Sequence, residues 1–272
     1  MPPVSSKFAN RLLGSLPAPA LRALRPHLKR VELPLKDVLF NVDVPIEYVY
    51  FPEDTVVSIL SVMPDGSAVE VATVGREGMV GLPAVLGVEK GQAMAFVQVP
   101  GHGLRVEARA FREHVQRSGA TRNVMDRYTQ ALFTQVSQGA ACNRLHSLDE
   151  RCARWLLMTH DRVGGDCFPL TQQFLAQMLG VRRAGVPEVA SQLQREGLVT
   201  YGRGFMTVLD RAGLEAASCE CYRIIRSEFD RLMEGRESPN PLSGVSFRLD
   251  EGGRPRQKAD APQPRRKRRS RA

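Results

Sequence analysis

The stretch Leu170-Thr-Gln-Gln-Phe-Leu-Ala-Gln-Met-Leu-Gly180-Val-Arg-Arg-Ala-Gly-Val-Pro-Glu-Val-Ala-Ser191 decides how this chain is read. Leu175 and Leu179 recur at helical spacing and form the inner face of a first short helix opened by Thr171. Ala176 is small where two helices cross closely. Gly180 stands where the turn between them calls for a positive φ. Val181, Val186, Val189 and Leu193 then make the inner face of a second helix. Downstream, residues 198–201 and 205–209 read as two short strands joined across Gly202-Arg203-Gly204, which is a wing. A helix-turn-helix followed by such a hairpin predicts a winged-helix module whose second helix enters a DNA major groove. A plain helical hairpin would carry neither the spacing of small and apolar residues nor the wing.

One local feature argues against a regular second helix. If that helix begins near Arg182, Pro187 lies just beyond its free first turn, where proline costs about 3 kcal/mol and removes a backbone bond. A kink is therefore expected at Pro187, beside Gly185. Arg182, Ser191, Gln192, Tyr201 and Arg203 are the candidate phosphate contacts, which would position the module without specifying sequence.

Upstream, residues 30–107 run in short apolar stretches broken by turns. Residues 55–62 are rich in β-branched side chains, and Pro64-Asp-Gly-Ser67 is a turn signal. Residues 68–74 follow as another strand, with further candidates at 95–99 and 104–107; many short strands imply a sandwich or barrel. The period changes near Ala110. From Thr121 onward Val124, Tyr128, Ala131, Leu132 and Val136 fall at three- and four-residue steps. They predict one long helix whose apolar stripe needs a partner, either its own β-domain or a second subunit. Ser147-Leu-Asp-Glu150 has capping-box form, so a new helix starts at Ser147.

This arrangement resembles the Crp/Fnr transcription regulators. The resemblance covers residues 28–222 and rests on Val74-Gly-Arg-Glu-Gly-Met-Val-Gly-Leu82, the long helix, Glu150-Arg-Cys-Ala-Arg-Trp-Leu-Leu157, the helix-turn-helix and the wing. It implies an α+β chain: an N-terminal β-roll of the jelly-roll, cyclic-nucleotide-binding-like kind, a long dimerisation helix, and a C-terminal winged helix-turn-helix. The corresponding division is 1–27 helical lead-in, 28–118 β-roll, 119–146 connecting helix, 147–235 DNA-binding domain and 236–272 a basic tail without structure. The dimer helix is assigned Val124, Tyr128, Leu132 and Val136. The family's base-reading positions fall on Arg183, Ala184 and Glu188, where its pattern has Arg, Glu and Arg. Arg183 keeps the fork that pairs with a guanine edge. The other two differ, so the operator should differ as well.

The cyclic-nucleotide sensors of the family hold the ribose with a Gly-Glu pair and the cyclic phosphate with an Arg-Ser or Arg-Thr pair. The resemblance aligns Met79 with that Glu, and Ala93 and Met94 with the phosphate-binding pair. A buried phosphate needs a charged partner, which Ala and Met do not offer. The pocket formed by Met79, Ala93 and Met94 therefore reads as degenerate, and cyclic AMP is not the expected effector. The Fnr-type iron–sulfur route is closed because no cysteine precedes Cys142. His102 and His114 are haem candidates by position only.

The five cysteines are an odd number and fit a reducing compartment. Cys142 and His146 lie four apart on a helix, with Cys152 beyond, a spacing that metal ligands use. Because Ser147 restarts the helix, these groups are expected to diverge, and no metal is expected. Cys219-Glu-Cys221 is placed on the last helix, where residues two apart point in different directions. The two are read as buried thiols, with a redox switch as the alternative.

Charge has to be located before it is used. Of the net +9, residues 236–272 supply 11 Lys or Arg against 4 Asp or Glu, leaving 27 against 25 for the first 235 residues. The body is nearly neutral, so the DNA reading rests on the motif and not on the pI. The run Arg265-Arg-Lys-Arg-Arg-Ser-Arg271 is a solvated tail or a non-specific phosphate clamp. The first residues show no apolar core of a signal peptide, and no apolar run approaches the ~18 residues of a membrane span. No hydrolase elbow, zincin or P-loop motif is present, so an enzyme is not expected. The expectation is a cytoplasmic, bacterial, homodimeric DNA-binding regulator without a cofactor. Its partners would be promoter DNA, itself, RNA polymerase and an unidentified small-molecule effector other than cyclic AMP, or no effector. The alternative is a protein-interaction module built on a degenerate β-roll and helix-turn-helix.

Overall fold

The computed structural model describes residues 8–234, 247–249 and 255–257. Two short helices, α1 (Arg11–Gly14) and α2 (Ala18–Leu24), lead in. Asn10 caps α1 by accepting from the Leu13 N–H, and it donates to the carbonyls of Pro52 and Gly78, which pins the lead-in to the β-domain. The β-domain comprises β1 (Lys29–Leu33), β2 (Val38–Phe40), β3 (Tyr48–Pro52), β4 (Val56–Val62), β5 (Ala68–Val74), the one-turn helix α3 (Leu82–Val85), β6 (Ala93–Val99) and β7 (Gly101–Glu107). The strands form two antiparallel sheets, ordered β1-β7-β3 and β2-β6-β4-β5. Leu33, Val49, Phe51, Val56, Val57, Leu60, Ala95 and Val97 fill the core. At the β4–β5 corner Asp65 accepts from the backbone and hydroxyl of Ser67, while Gly66 takes φ 83°.

Helix α4 (Ala108–Arg117) closes the β-domain, and α5 (Gly119–Leu145) runs 27 residues beyond it, capped by Ser118. The face of α5 carrying Thr121, Val124, Met125, Tyr128, Ala131 and Gln135 is buried within its own chain. Two of the four residues assigned to the dimer helix lie on this face. Val124 and Tyr128 are core residues, and the Tyr128 hydroxyl donates to the Met79 carbonyl and accepts from the Met79 N–H, at 2.8 and 3.1 Å. Leu132 is half-buried against the same core, and only Val136 of the four is exposed. Away from that face α5 exposes Phe133, at 65%, and Val136, and Leu145 is exposed at its last residue.

Next come α6 (Leu148–His160), β8 (Cys167–Pro169), α7 (Gln172–Leu179), a 3-10 turn at Arg183–Gly185, α8 (Val186–Arg195), β9 (Val199–Gly202), β10 (Phe205–Val208), α9 (Arg211–Ala217) and α10 (Cys221–Glu234). Helix α6 begins with the full reciprocal capping box of Ser147 and Glu150. The winged unit docks on the β-domain where the edge of Phe174 meets Phe96 at 5.8 Å, and within the unit Phe174 also meets Trp155 of α6 at 6.4 Å. In the segment expected to lack structure, β11 (Phe247–Leu249) and β12 (Pro255–Gln257) pair antiparallel. The rest of the basic tail lies outside the described residues.

Candidate nucleic-acid interface

Thr171 caps α7 by accepting from the Phe174 N–H, and Gly180 ends it in the left-handed region at φ 63°. Leu175, Ala176, Met178 and Leu179 of α7 and Val186, Val189, Ala190 and Leu193 of α8 are buried. Arg151 of α6 donates to the Leu179 carbonyl and so ties α6 to the end of α7. β10 pairs with both β8 and β9, and the two-residue turn of Arg203 and Gly204, both at positive φ, closes the wing. β8 was not foreseen from the sequence. It is only three residues long and contains a proline.

The kink expected at Pro187 does not form. The α-helix starts at Val186, not near Arg182, and Pro187 sits within its first turn, where a missing N–H loses no helix bond. A 3-10 turn takes up residues 183–185 before the helix begins. Arg183 and Ala184 therefore belong to that turn, while Glu188 occupies the first turn of α8, where an acidic side chain also suits the helix dipole.

Arg182, Ala184, Glu188 and Ser191 are exposed. Arg203 is exposed at the tip of the wing, Gln192 and Tyr201 are half-buried, and Gln192 donates to Glu196 at 3.4 Å. The outer surface of α8 is open, and its inner surface is fully engaged in packing.

Of the three β-domain positions aligned with the family's effector pocket, Met79 is enclosed and Ala93 and Met94 are half-buried. Met79 is 1% exposed, and the ring of Tyr128 lies against Gly78, where a Cβ would stand 2.5 Å from the hydroxyl. Ala93 and Met94 are half-buried at the start of β6, opposite Ser61 and Leu60. Glu77, two residues before Met79, is committed elsewhere. Its carboxylate pairs at 2.8 Å with Arg162, which also reaches the carbonyl of Met158 and the side chain of Gln135. His102 is exposed and hydrogen bonds Asp54, and His114 is stacked on Phe111.

The cysteines behave differently from the sequence expectation. Cys142 and His146 do not diverge. Both meet Cys219 and Cys221, and the four ligand-type atoms lie within 4.8 Å of one another. Cys219 sits in the turn ahead of α10 and Cys221 is the first residue of that helix, so the two are not governed by helical spacing. Cys152 is buried apart from this group. The Cys142 and Cys219 sulfurs are in hydrogen-bond contact, and the thiol contacts of Cys142 with Cys219 and Cys221 lower its pKa.

Residues 150–217 match the family described as the Crp-like helix-turn-helix domain. Among solved structures the chain is similar to FixK2 from Bradyrhizobium japonicum, with 16% identity over 71% of this chain and 98% of that one, TM-score 0.61. It is similar to a CRP-family transcriptional regulator from Thermus thermophilus, with 21% identity over 70% and 96%, TM-score 0.58. A third is the c-di-GMP responsive global regulator CLP from Xanthomonas campestris, with 17% identity over 71% and 100%, TM-score 0.56. The sequence matches no curated protein. The fold is thus that of the Crp/Fnr transcription regulators, and residues 150–217 carry a Crp-like helix-turn-helix domain. Its N-terminal β-domain has the cyclic-nucleotide-binding-like fold of those structures. No helix among the described residues is long and apolar enough to cross a membrane.

Proposed function

We propose that the protein is a homodimeric, sequence-specific DNA-binding transcription regulator of the cytoplasm that answers to an effector other than cyclic AMP, or to none. The observation that carries this reading is the winged helix-turn-helix, with its inner face packed and the outer face of the turn and α8 exposed. In this reading Arg183 and Ala184 on the turn and Glu188 on α8 are the base readers. Arg182, Ser191, Gln192, Tyr201 and Arg203 hold phosphates. The filled surroundings of Met79, with Ala93 and Met94 at the phosphate-binding positions, support the exclusion of cyclic AMP. That CLP is c-di-GMP responsive is consistent with a β-domain of this type answering to a different ligand. RNA polymerase is the natural further partner of such a regulator.

The test is selection of bound sequences from random duplex DNA by the full chain, followed by binding of the winning duplex to Arg183→Ala. A two-fold symmetric motif with half-sites about one helical turn apart is expected. Arg183→Ala should abolish discrimination at one base position while leaving weak, salt-sensitive binding. Equal affinity of the native chain for selected and random duplexes would overturn the reading.

A further inference from the structure

The group formed by Cys142, His146, Cys219 and Cys221 takes no part in the DNA interface. We propose that it is a mononuclear Cys3His site for a divalent d10 cation of the zinc class, stapling the end of α5 to the start of α10. Four side chains of the types zinc prefers converge, with every ligand atom within 4.8 Å of the others. The Cys142 and Cys219 sulfurs are 3.5 Å apart, and the Cys221 sulfur is 3.5 Å from His146 Nδ1. A tetrahedral ion with zinc–sulfur bonds of about 2.3 Å holds its sulfurs about 3.8 Å apart, so the ion fits with small adjustments. An iron–sulfur cluster interposes iron and sulfide between its thiolates and would need them farther apart.

The surroundings are those of a metal site. Glu220 Oε1 lies 3.2 Å from His146 Nε2, which turns Nδ1 toward the thiols, the carboxylate–histidine arrangement that orients a metal ligand. Gln138 Nε2 donates to the Cys221 sulfur at 3.2 Å. The three cysteines are buried, forming a small cluster separate from the main core, and His146 is largely covered. One dication and three thiolates leave a net charge of −1, which the neighbouring cations Arg151 and Arg154 offset. Binding releases thiol protons, so affinity rises with pH.

The location gives the site a consequence. His146 ends α5 and Ser147 caps α6, so this is the joint between connecting helix and DNA-binding domain. Cys219 and Cys221 return to it from the chain that follows the wing and α9. An ion here fixes the joint from both sides.

The test uses the full chain, reduced and stripped of metal, titrated with zinc against a chromophoric chelator and with cobalt as a spectroscopic stand-in. One equivalent per chain is expected, with the ligand-field bands of tetrahedral, thiolate-bound cobalt. Cys219→Ser and His146→Gln should abolish that spectrum, and Cys167→Ser should not alter it. Glu220→Gln changes an exposed residue, and it should weaken zinc binding about 10-fold. The proposal is overturned by a helical, fully reduced chain that takes up no ion, by an octahedral cobalt spectrum, or by Glu220→Gln binding like the native chain. It is equally overturned if an iron–sulfur chromophore appears. No DNA enters the assay, so the result is independent of the DNA-binding reading.

Discussion

Glu77 and Arg162, 85 residues apart, form a buried ion pair at 2.8 Å that joins the loop after β5 to the end of α6. Gly75 adds a backbone N–H to the same carboxylate oxygen, and Gln135 of α5 accepts from the guanidinium. The pair thus ties β-domain, connecting helix and winged-helix unit together at one point. It also removes from ligand chemistry the only acid in the loop Val74-Gly-Arg-Glu-Gly-Met-Val-Gly-Leu82.

Breaking this pair from one side leaves a buried, uncompensated charge. Arg162→Met should lower stability to urea by about 3–5 kcal/mol. The double variant Arg162→Met with Glu77→Gln should recover a large part of that loss, because no bare charge remains. A double variant no more stable than the single one would show that packing around Arg162, and not its charge, is what matters.

Cyclic AMP should not stabilise the protein. Its ribose would have to displace the Tyr128 contact with Gly78 and Met79, and its phosphate would find Ala93 and Met94. A thermal melt with cyclic AMP in large excess should match the melt without it. A rise in Tm of several degrees would require this region to open and bind the nucleotide.

Glu70 gives the domain contact a pH dependence. Its carboxyl accepts from Ser58 and from the Trp155 indole, both at 2.7 Å, and burial pushes its pKa up to about 7 despite those hydrogen bonds and the charges of Arg154 and Arg162. An acid with a raised folded pKa favours the fold when protonated. That contribution is complete below the ordinary value of 4.5 and is lost as pH rises through about 7. Glu70→Gln, which mimics the protonated form, should therefore melt higher than the native chain at about pH 8, with the difference shrinking toward about pH 5. A difference that is the same at both pH values would place the effect elsewhere.

Much of the architecture was legible because it is written in local chemistry. The helix-turn-helix spacing, the Ser147 capping box, the turn at Asp65-Gly66 and the long amphipathic helix each depend on residues within a few positions of one another. What was not legible depends on pairs far apart in the chain. Cys142-x-x-x-His146 and Cys219-x-Cys221 are each weak signals, and only the meeting of α5 with α10 makes them one group. The apolar stripe of α5 was visible, but whether Val124 and Tyr128 faced the β-domain or a second subunit was not. The role of Pro187 turns on a few residues of helix start, enough to turn a breaker into a first-turn residue.

That relocation makes a sharp prediction. With Pro187 in the first turn of α8, Pro187→Ala should change stability by less than about 1 kcal/mol in urea unfolding. An interior proline would instead yield a gain approaching about 3 kcal/mol on replacement. A gain of that size would mean that the helix begins before Val186.

The dimer reading can be separated from the packing of α5 by comparing its two faces. Phe133 and Val136 are exposed and lie three residues apart on the open side, while Val124 and Tyr128 are enclosed. If α5 pairs with its counterpart in a second subunit, Phe133→Asp with Val136→Asp should convert a dimer into a monomer in sedimentation velocity, with unchanged helix content. Val124→Ala should do the reverse. It removes two methyl groups from a filled core and should lower stability by about 1–3 kcal/mol while leaving the dimer intact. A dimer that survives the Phe133 and Val136 changes would move the subunit contact away from the middle of α5.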